Sequence, residues 1–255
     1  MLKLQLKATD PPPLELDGFT PNAFASATAD AVRSHRLWVG NTQVAAAELF
    51  DIDGDPTDGA WRFEGDLSRV HRLGEGMTAG EVRAAGPVGE YAGARMKGGR
   101  LSIQGDTGNA LGAEMRGGSI TVHGNAGGEV GVAMRRGLIT VAGDAGPFAG
   151  YRMRAGTVLI LGEAGPRAGA EMFRGTVGLL GEAPPTLLPT FRYACDFEPV
   201  WLRAIARECG VDLPATVSLF SGDLLTGGRG EMLTRCGESG FGRTSDSLST
   251  PRKLN

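Results

Sequence analysis

The sequence predicts a mainly β chain whose middle is a parallel β-helix, a solenoid of 19-residue coils. Three observations predict it. Gly89, Gly108, Gly127, Gly146 and Gly165 fall 19 residues apart, and columns starting at Gly93, Met96 and Gly99 keep the same step. A fixed period of this size means stacked identical units. Each unit carries one short apolar pair, Leu101/Ile103, Ile120/Val122, Ile139/Val141, Val158/Ile160 or Val177/Leu179, with period-two alternation and many β-branched residues. A glycine follows two residues after each pair, where the chain must turn.

The elements follow in order. Residues 1–60 do not obey the repeat and read as an N-terminal cap, which would cover unpaired strand edges at the open end. Leu2, Leu4 and Leu6 alternate with Lys3, Gln5 and Lys7, a strand signal that Pro11, Pro12 and Pro13 end. A second apolar stretch runs from Leu37 to Ile52, broken at Gly40 and Asn41. The β-helix occupies 61–183. Recognisable coils run from Val70 to Ala183, and the preceding WRFEGDLSR reads as a degenerate cap. Six coils would extend about 29 Å. Met77, Met96, Met115, Met134, Met153 and Met172 stack down the inside, each contributing about 1.5–3 kcal/mol on burial. Residues 184–255 form a C-terminal extension. Pro184 and Pro185 mark the exit, and 198–207 reads as a short amphipathic helix with Pro199 near its first turn and Gly210 as its stop. The last 15 or so residues, rich in Ser and Thr, are expected to be mobile or partner-bound.

Composition excludes several function classes. Lys plus Arg is 26 and Asp plus Glu is 29, a net charge of −3, which argues against bulk binding to nucleic acid or membrane. No stretch approaches the roughly 20 apolar residues of a membrane span, and the N-terminus has no signal-peptide run. The three cysteines, Cys195, Cys209 and Cys236, form no CxxC pair. That fits a cytoplasmic thiol protein and supports no zinc or iron–sulfur site.

A catalytic constellation is also missing. His35, His71 and His123 are scattered, and a metal-dependent hydrolase needs several His plus a carboxylate together. His123 is expected to face outward from its strand. No G-x-S-x-G or G-x-x-x-x-G-K-[ST] text occurs. Gly227, Gly228 and Gly230 around Arg229 read as a turn. Asp51, Asp53 and Asp55 suggest calcium, but Pro56 and Arg62 stand where an EF-hand loop needs Gly and Glu. A carbohydrate-active β-helix would need aromatic platforms, and the coils hold only Tyr91, Phe148, Tyr151 and Phe173.

Stacking creates charge ladders. Lys97, Arg116, Arg135 and Arg154 share one column, with Arg136 and Arg174 in the next. Asp106, Asn125, Asp144, Glu163 and Glu182 share another. Like charges about 4.8 Å apart repel unless compensated. The basic side chains either splay into water or pair with Glu114 and Glu171, or they meet an acidic partner surface. On the outer strand face, Ser102, Gln104, Thr121, His123 and Thr140 give way to Leu159, Leu161 and Leu180. That aliphatic patch must be covered by the C-terminal segment or by another protein chain.

The repeated G-x-x-G-x-x-x-G text, Gly105-x-x-Gly108-x-x-x-Gly112 and again from Gly86, Gly124, Gly143 and Gly162, resembles the GXGXG β-helix. Two groups share it: the C-terminal part of the glutamate synthase large subunit, and the C subunit of formylmethanofuran dehydrogenase. Residues 61–235 are most similar to the second. TFRYACDFEP at 190–199 and GDLLTGGRGE at 222–231 look like the tail of that family. The short length and the Arg- and Ala-rich texture resemble its bacterial version, in the formyltransferase/hydrolase complex. The resemblance implies a right-handed β-helix and a non-catalytic scaffold role. It implies a hetero-oligomer with amidohydrolase-type (A, holding the metal), B and formyltransferase (D) subunits as partners. That complex moves a formyl group from formyl-tetrahydromethanopterin to a methanofuran-type carrier and releases formate. It implies no catalytic residue and no cofactor held by this chain, apart from a carrier tail that could meet Lys97, Arg116, Arg135 and Arg154. The alternative is a glutamate synthase-like module serving amidotransferase and flavin subunits.

Overall fold

The computed structural model describes residues 1–8, 11–209 and 212–236. A 12-stranded sheet runs the length of the molecule. Its parallel ladder comprises β1 (Leu2–Leu6), β6 (Ala60–Glu64), β8 (Glu81–Ala84), β9 (Lys97–Ile103), β10 (Arg116–Val122), β11 (Arg136–Val141), β12 (Thr157–Ile160), β13 (Gly175–Leu179) and β16 (Gly230–Arg235). Equivalent residues stack in register, as in Val82, Leu101, Ile120, Ile139, Val158 and Val177. A second line of parallel bridges joins Leu67, Val88, Thr107, Ala126, Ala145 and Ala164. The six methionines of the repeat are fully buried between these faces.

The stack is longer than the repeat predicts. Trp61 pairs with Val82 as a regular coil strand, so WRFEGDLSR opens with a coil strand and is not the degenerate cap expected. β1 adds below it and β16 adds above β13, both parallel. Neither β1 nor β16 carries the repeat text, because a strand joined to the stack from outside needs only the alternating core face. In β16, Met232 pairs with Val177 and is buried, extending the apolar column by one level.

The remaining elements close the two ends. At the N-terminal end, β5 (Phe50–Asp53) pairs antiparallel with β1. A small sheet contains β2 (Leu14–Glu15), β3 (Arg36–Val39), β4 (Thr42–Ala45) and β7 (Val70–His71). Gly40, with φ of +57°, and Asn41 make the two-residue β3–β4 hairpin turn. α1 (Ala29–Ser34) is capped by the Thr28 hydroxyl, which accepts from the Ala31 N–H at 3.2 Å. α2 (Ala46–Leu49) follows the hairpin. Phe19, Phe24, His35 and Trp61 pack together, with Phe19 stacked on His35 at 5.4 Å and 4.9 Å from Trp61. Burial pushes the His35 imidazole below its ordinary value of 6.5.

At the other end, β14 (Arg192–Phe197), α3 (Val200–Cys209) and β15 (Val217–Gly222) form the extension. The helix expected at 198–207 begins two residues later, after Pro199. Its expected stop at Gly210 and the expected mobile tail lie outside the described residues. Leu202 and Ile205 of α3, Val217 and Leu219 of β15, and Phe197 cover Leu159, Leu161 and Leu180. The aliphatic patch is therefore covered by the chain's own C-terminal segment. Fully burying each such aliphatic side chain contributes about 1.5–3 kcal/mol, enough to hold the extension against the coils.

The glycine columns serve two purposes. Gly118 has φ of +89°, and a Cβ there would lie 2.7 Å from the Gly99 carbonyl oxygen one coil earlier. The Gly124, Gly143 and Gly162 column has no left-handed backbone. A Cβ there would instead strike the Asp106, Asn125 or Asp144 side-chain oxygen of the previous coil, at 2.3–2.4 Å. Close approach, more than turning, is what excludes a side chain there. Gly118→Ala should lower stability by about 3 kcal/mol or more, through combined strain and clash. Ser119→Ala, on the outer face beside it, should stay within about 0.5 kcal/mol. Thermal unfolding of the two variants checks this contrast.

Candidate functional site

The exterior of the coils presents ladders of polar side chains, and the structure sorts them by what they bond. The Asp106 column is a hydrogen-bonded ladder. The Asp106 carboxylate accepts from the Asn125 N–H at 2.7 Å, the Asn125 amide oxygen from the Asp144 N–H at 2.8 Å, and the Asp144 carboxylate from the Glu163 N–H at 2.7 Å. Backbone amides thus compensate the repulsion expected of this column, and Asn125 interrupts its charge. A parallel ladder starts at His71, whose Nδ1 accepts from the Glu90 N–H at 3.0 Å. It continues through the Asn109 Oδ1, which accepts from the Gly128 N–H at 2.8 Å.

Other candidates also turn out to be structural. Asp55 accepts from the Thr57 N–H at 2.9 Å, a bond that holds its carboxyl below the usual range, and Asp51 pairs with Lys7 at 3.3 Å. The expected carboxylate-rich turn is therefore only partly present: Asp51 and Asp53 lie in β5, paired with β1, and Asp55 alone caps the turn that follows. His123 is exposed one residue beyond the end of β10, not within the strand as expected, while His35 sits in the aromatic cluster and His71 in its ladder, so the three histidines share no site. Among the described residues, no group of three or more His, Cys, Asp or Glu is placed to hold a metal ion. Asp223 is buried and accepts from the N–H groups of Leu225 at 3.0 Å and Glu171 at 3.2 Å, anchoring the 223–229 connection to the last coil.

Glu75 is a buried ion-pair centre. Arg72 reaches it at 3.0 Å, and Arg95 contacts it from the next coil. Hydrogen bonding to Glu75 raises both guanidinium values. Glu171 pairs with Arg152 at 2.8 Å.

The basic column behaves differently. Lys97, Arg116, Arg135 and Arg154 are all exposed. Their backbones are fixed alike: each N–H donates to a carbonyl of the methionine column one coil earlier, Met77, Met96, Met115 and Met134, at 2.7–2.8 Å. Neither Glu114 nor Glu171 pairs with them. Phe173 is the next residue of the same column, and its N–H donates to the Met153 carbonyl at 2.8 Å. Arg154 lies over the Phe173 ring at 5.9 Å. The sequence places Phe173 at the same 19-residue step, but a change from charged to aromatic hides the continuity. A shallow groove of about 430 Å³ lies nearby over Gly80, Gly99 and Gly118, with Glu81, Arg83 and Arg100 at its rim.

Two columns of non-glycine residues with left-handed backbone are a further feature absent from the sequence reading. They are Arg72, Tyr91, Ala110, Glu129, Phe148 and Arg167, and Arg95, Glu114, Ala133, Arg152 and Glu171, all with φ between 53° and 65°. Each state costs of order 1–3 kcal/mol and persists only where neighbours over-determine it. Forward bonds do so here: the Ala110 N–H donates to the Gly128 carbonyl at 2.9 Å and the Glu114 N–H to the Val132 carbonyl at 2.8 Å. Nothing in the residue types marks these positions.

These ladders define a class: a β-solenoid that displays ordered rows of side chains on a rigid stack. No family model matches the chain. The C subunit of tungsten-containing formylmethanofuran dehydrogenase 2 from Methanothermobacter thermautotrophicus is 35% identical over 86 residues, 32% of this chain and 32% of that protein. Its counterpart in the molybdenum-containing formylmethanofuran dehydrogenase 1 of the same organism is 37% identical over 78 residues, 30% of this chain and 20% of that one. The matched stretch thus spans about a third or less of these curated relatives. The crystal structure of the formyltransferase/hydrolase complex (FhcABCD) from Methylorubrum extorquens, in complex with methylofuran, contains a similar chain. The TM-score is 0.77 at 30% identity, covering 92% of this chain and 100% of that one. The chain belongs to the family of formylmethanofuran dehydrogenase C subunits. Among the described residues, no helix is long and apolar enough to cross a membrane.

The acceptor ladder is directly testable. Asp144→Ala leaves the Glu163 N–H without its acceptor and should cost about 1 kcal/mol. Asp144→Asn keeps an oxygen in place and should cost less than half of that. Thermal melts of both variants, with amide exchange at Glu163, read the difference.

Proposed function

We propose that this chain is a scaffold subunit of a cytoplasmic formyltransferase/hydrolase complex. In this reading the complex passes a formyl group from formyl-tetrahydromethanopterin to a methanofuran-type carrier and releases formate by hydrolysis. The chemistry lies in the amidohydrolase-type (A) and formyltransferase (D) subunits, the former with its metal, and a further partner, B, completes the assembly. This chain supplies a rigid surface on which they are held.

The observation that carries the reading is the likeness to a chain of the FhcABCD structure over 92% of this chain. The coils at 61–183 make up less than half of 255 residues, so that likeness takes in the flanking elements as well. A generic solenoid match would stop at the coils. The fate of the polar side chains adds support. Asp106, Asp144, Glu75 and Asp223 bond to backbone amides or arginines that hold the stack together.

Purification of the tagged full chain from its native host, followed by native mass spectrometry, tests the proposal. Amidohydrolase-type and formyltransferase-type partners should co-purify, and the recovered complex should carry out formyl transfer. Recovery with amidotransferase and flavin subunits would favour the glutamate synthase-like alternative. A stable monomer with activity of its own would overturn the scaffold role.

A further inference from the structure

Among the described residues, the chain leaves the charges of the basic column uncompensated. Arg72, Arg95 and Arg152 each meet a carboxylate within ion-pair distance. Lys97, Arg116 and Arg135 meet none among the described residues, although Glu114 lies only two residues from Arg116. Arg154 has Phe173 as its contact. The side chains cannot move apart along the axis, because each backbone N–H is tied to the methionine-column carbonyl one coil below. One sheet spacing separates the rungs, so three steps from Lys97 to Arg154 cover about 14 Å.

The ridge then changes character. Phe173 is the next rung and is 47% exposed. The Thr226 hydroxyl donates to the Met172 carbonyl, which brings the 224–226 turn against the peptide leading into Phe173. That turn presents Leu224 at 45% exposure and Leu225 at 82%. Three large apolar side chains thus sit at one end of an unpaired cationic row. A fold that covers Leu159 and Leu180 with its own extension leaves these outside.

We propose that this ridge docks an extended segment of a partner protein, with an acidic run over Lys97–Arg154 and an apolar side chain over Phe173 and Leu225. At 3.3–3.4 Å per residue, about 14 Å of ridge matches an acidic run of about four residues, with the apolar anchor one or two residues further on. Charge complementarity fixes the first part, and exposed apolar surface fixes the second. A polyanionic small-molecule tail would use the cations and leave the apolar end empty, so the protein segment accounts for more of the surface. The inference rests on the proposed place in a multi-protein complex, which supplies the partner.

The test uses the intact complex purified through the full chain. Carbodiimide should join the Lys97 ammonium to an Asp or Glu of a partner segment that continues into an apolar residue, as read by peptide mass spectrometry. Arg116→Glu/Arg135→Glu and, separately, Phe173→Ser/Leu225→Ser should each weaken partner retention about tenfold or more. Only the charge variant should flatten the salt dependence. Arg207→Glu, a charge reversal on α3, should retain partners normally. Circular dichroism confirms that each variant is folded, and a paired set of lysine replacements at Arg116 and Arg135 should restore retention. Unchanged retention in both ridge variants overturns the proposal while leaving the scaffold role standing. Protection of Lys97 by poly-γ-glutamate, with no partner cross-link, also overturns it in favour of a carrier tail. A wild-type chain that recovers no partner overturns the scaffold role itself, and the ridge with it.

Discussion

Each coil must set its backbone donors against the carbonyls of a neighbouring coil, about one repeat away. The Gly112 N–H reaches the Ala92 carbonyl at 2.8 Å, the Gly131 N–H the Leu111 carbonyl at 2.8 Å, and the Gly150 N–H the Val130 carbonyl at 2.7 Å. One residue more or less in a coil would turn its core face outward and break this ladder. The constraint accounts for glycine wherever two backbones meet, as at Gly118 above Gly99. It also accounts for the left-handed backbone of residues such as Ala110 and Glu114, whose conformational cost is offset by forward hydrogen bonds.

The same constraint organises the exterior. A side chain at one position recurs one rung higher, so a single chemical choice becomes a row. Short carboxylates and amides at Asp106, Asn125 and Asp144 reach the backbone of the next coil and reinforce the stack. Long cations at Lys97, Arg116 and Arg135 reach outward and cannot do so. Structural roles and the proposed recognition role are thus divided by side-chain length and column. The C-terminal extension completes the division by covering the aliphatic upper part of the sheet and leaving the lower part polar.

Much of this was legible from the residues. The period gave the coils, the methionine interior and the charge columns, because those properties repeat locally. The aliphatic patch at Leu159, Leu161 and Leu180 signalled a cover, though not which one. Strand partnership was less legible: β1 and β16 join the parallel ladder from outside the repeat, and alternating sequence states a face without naming a neighbour. The glycines at 124, 143 and 162 looked like turn residues, yet make room for side-chain oxygens of the previous coil. The carboxylates looked like unshielded charge because their acceptor role depends on amides 19 residues away. Phe173 escaped notice as the end of the basic row because chemistry changes there while position does not.

Amide hydrogen exchange, resolved by residue, tests the dependence on coil-to-coil bonding most directly. The N–H groups of Lys97, Arg116, Arg135, Arg154 and Phe173 all donate to the methionine column, although their side chains face solvent. They should exchange slowly and at similar rates in the middle coils, with protection close to that of the core strand amides at Val122 and Val141. Fast and mutually independent exchange at these positions, beside protected strands, would contradict the account: the rows would then rest on loosely held turns.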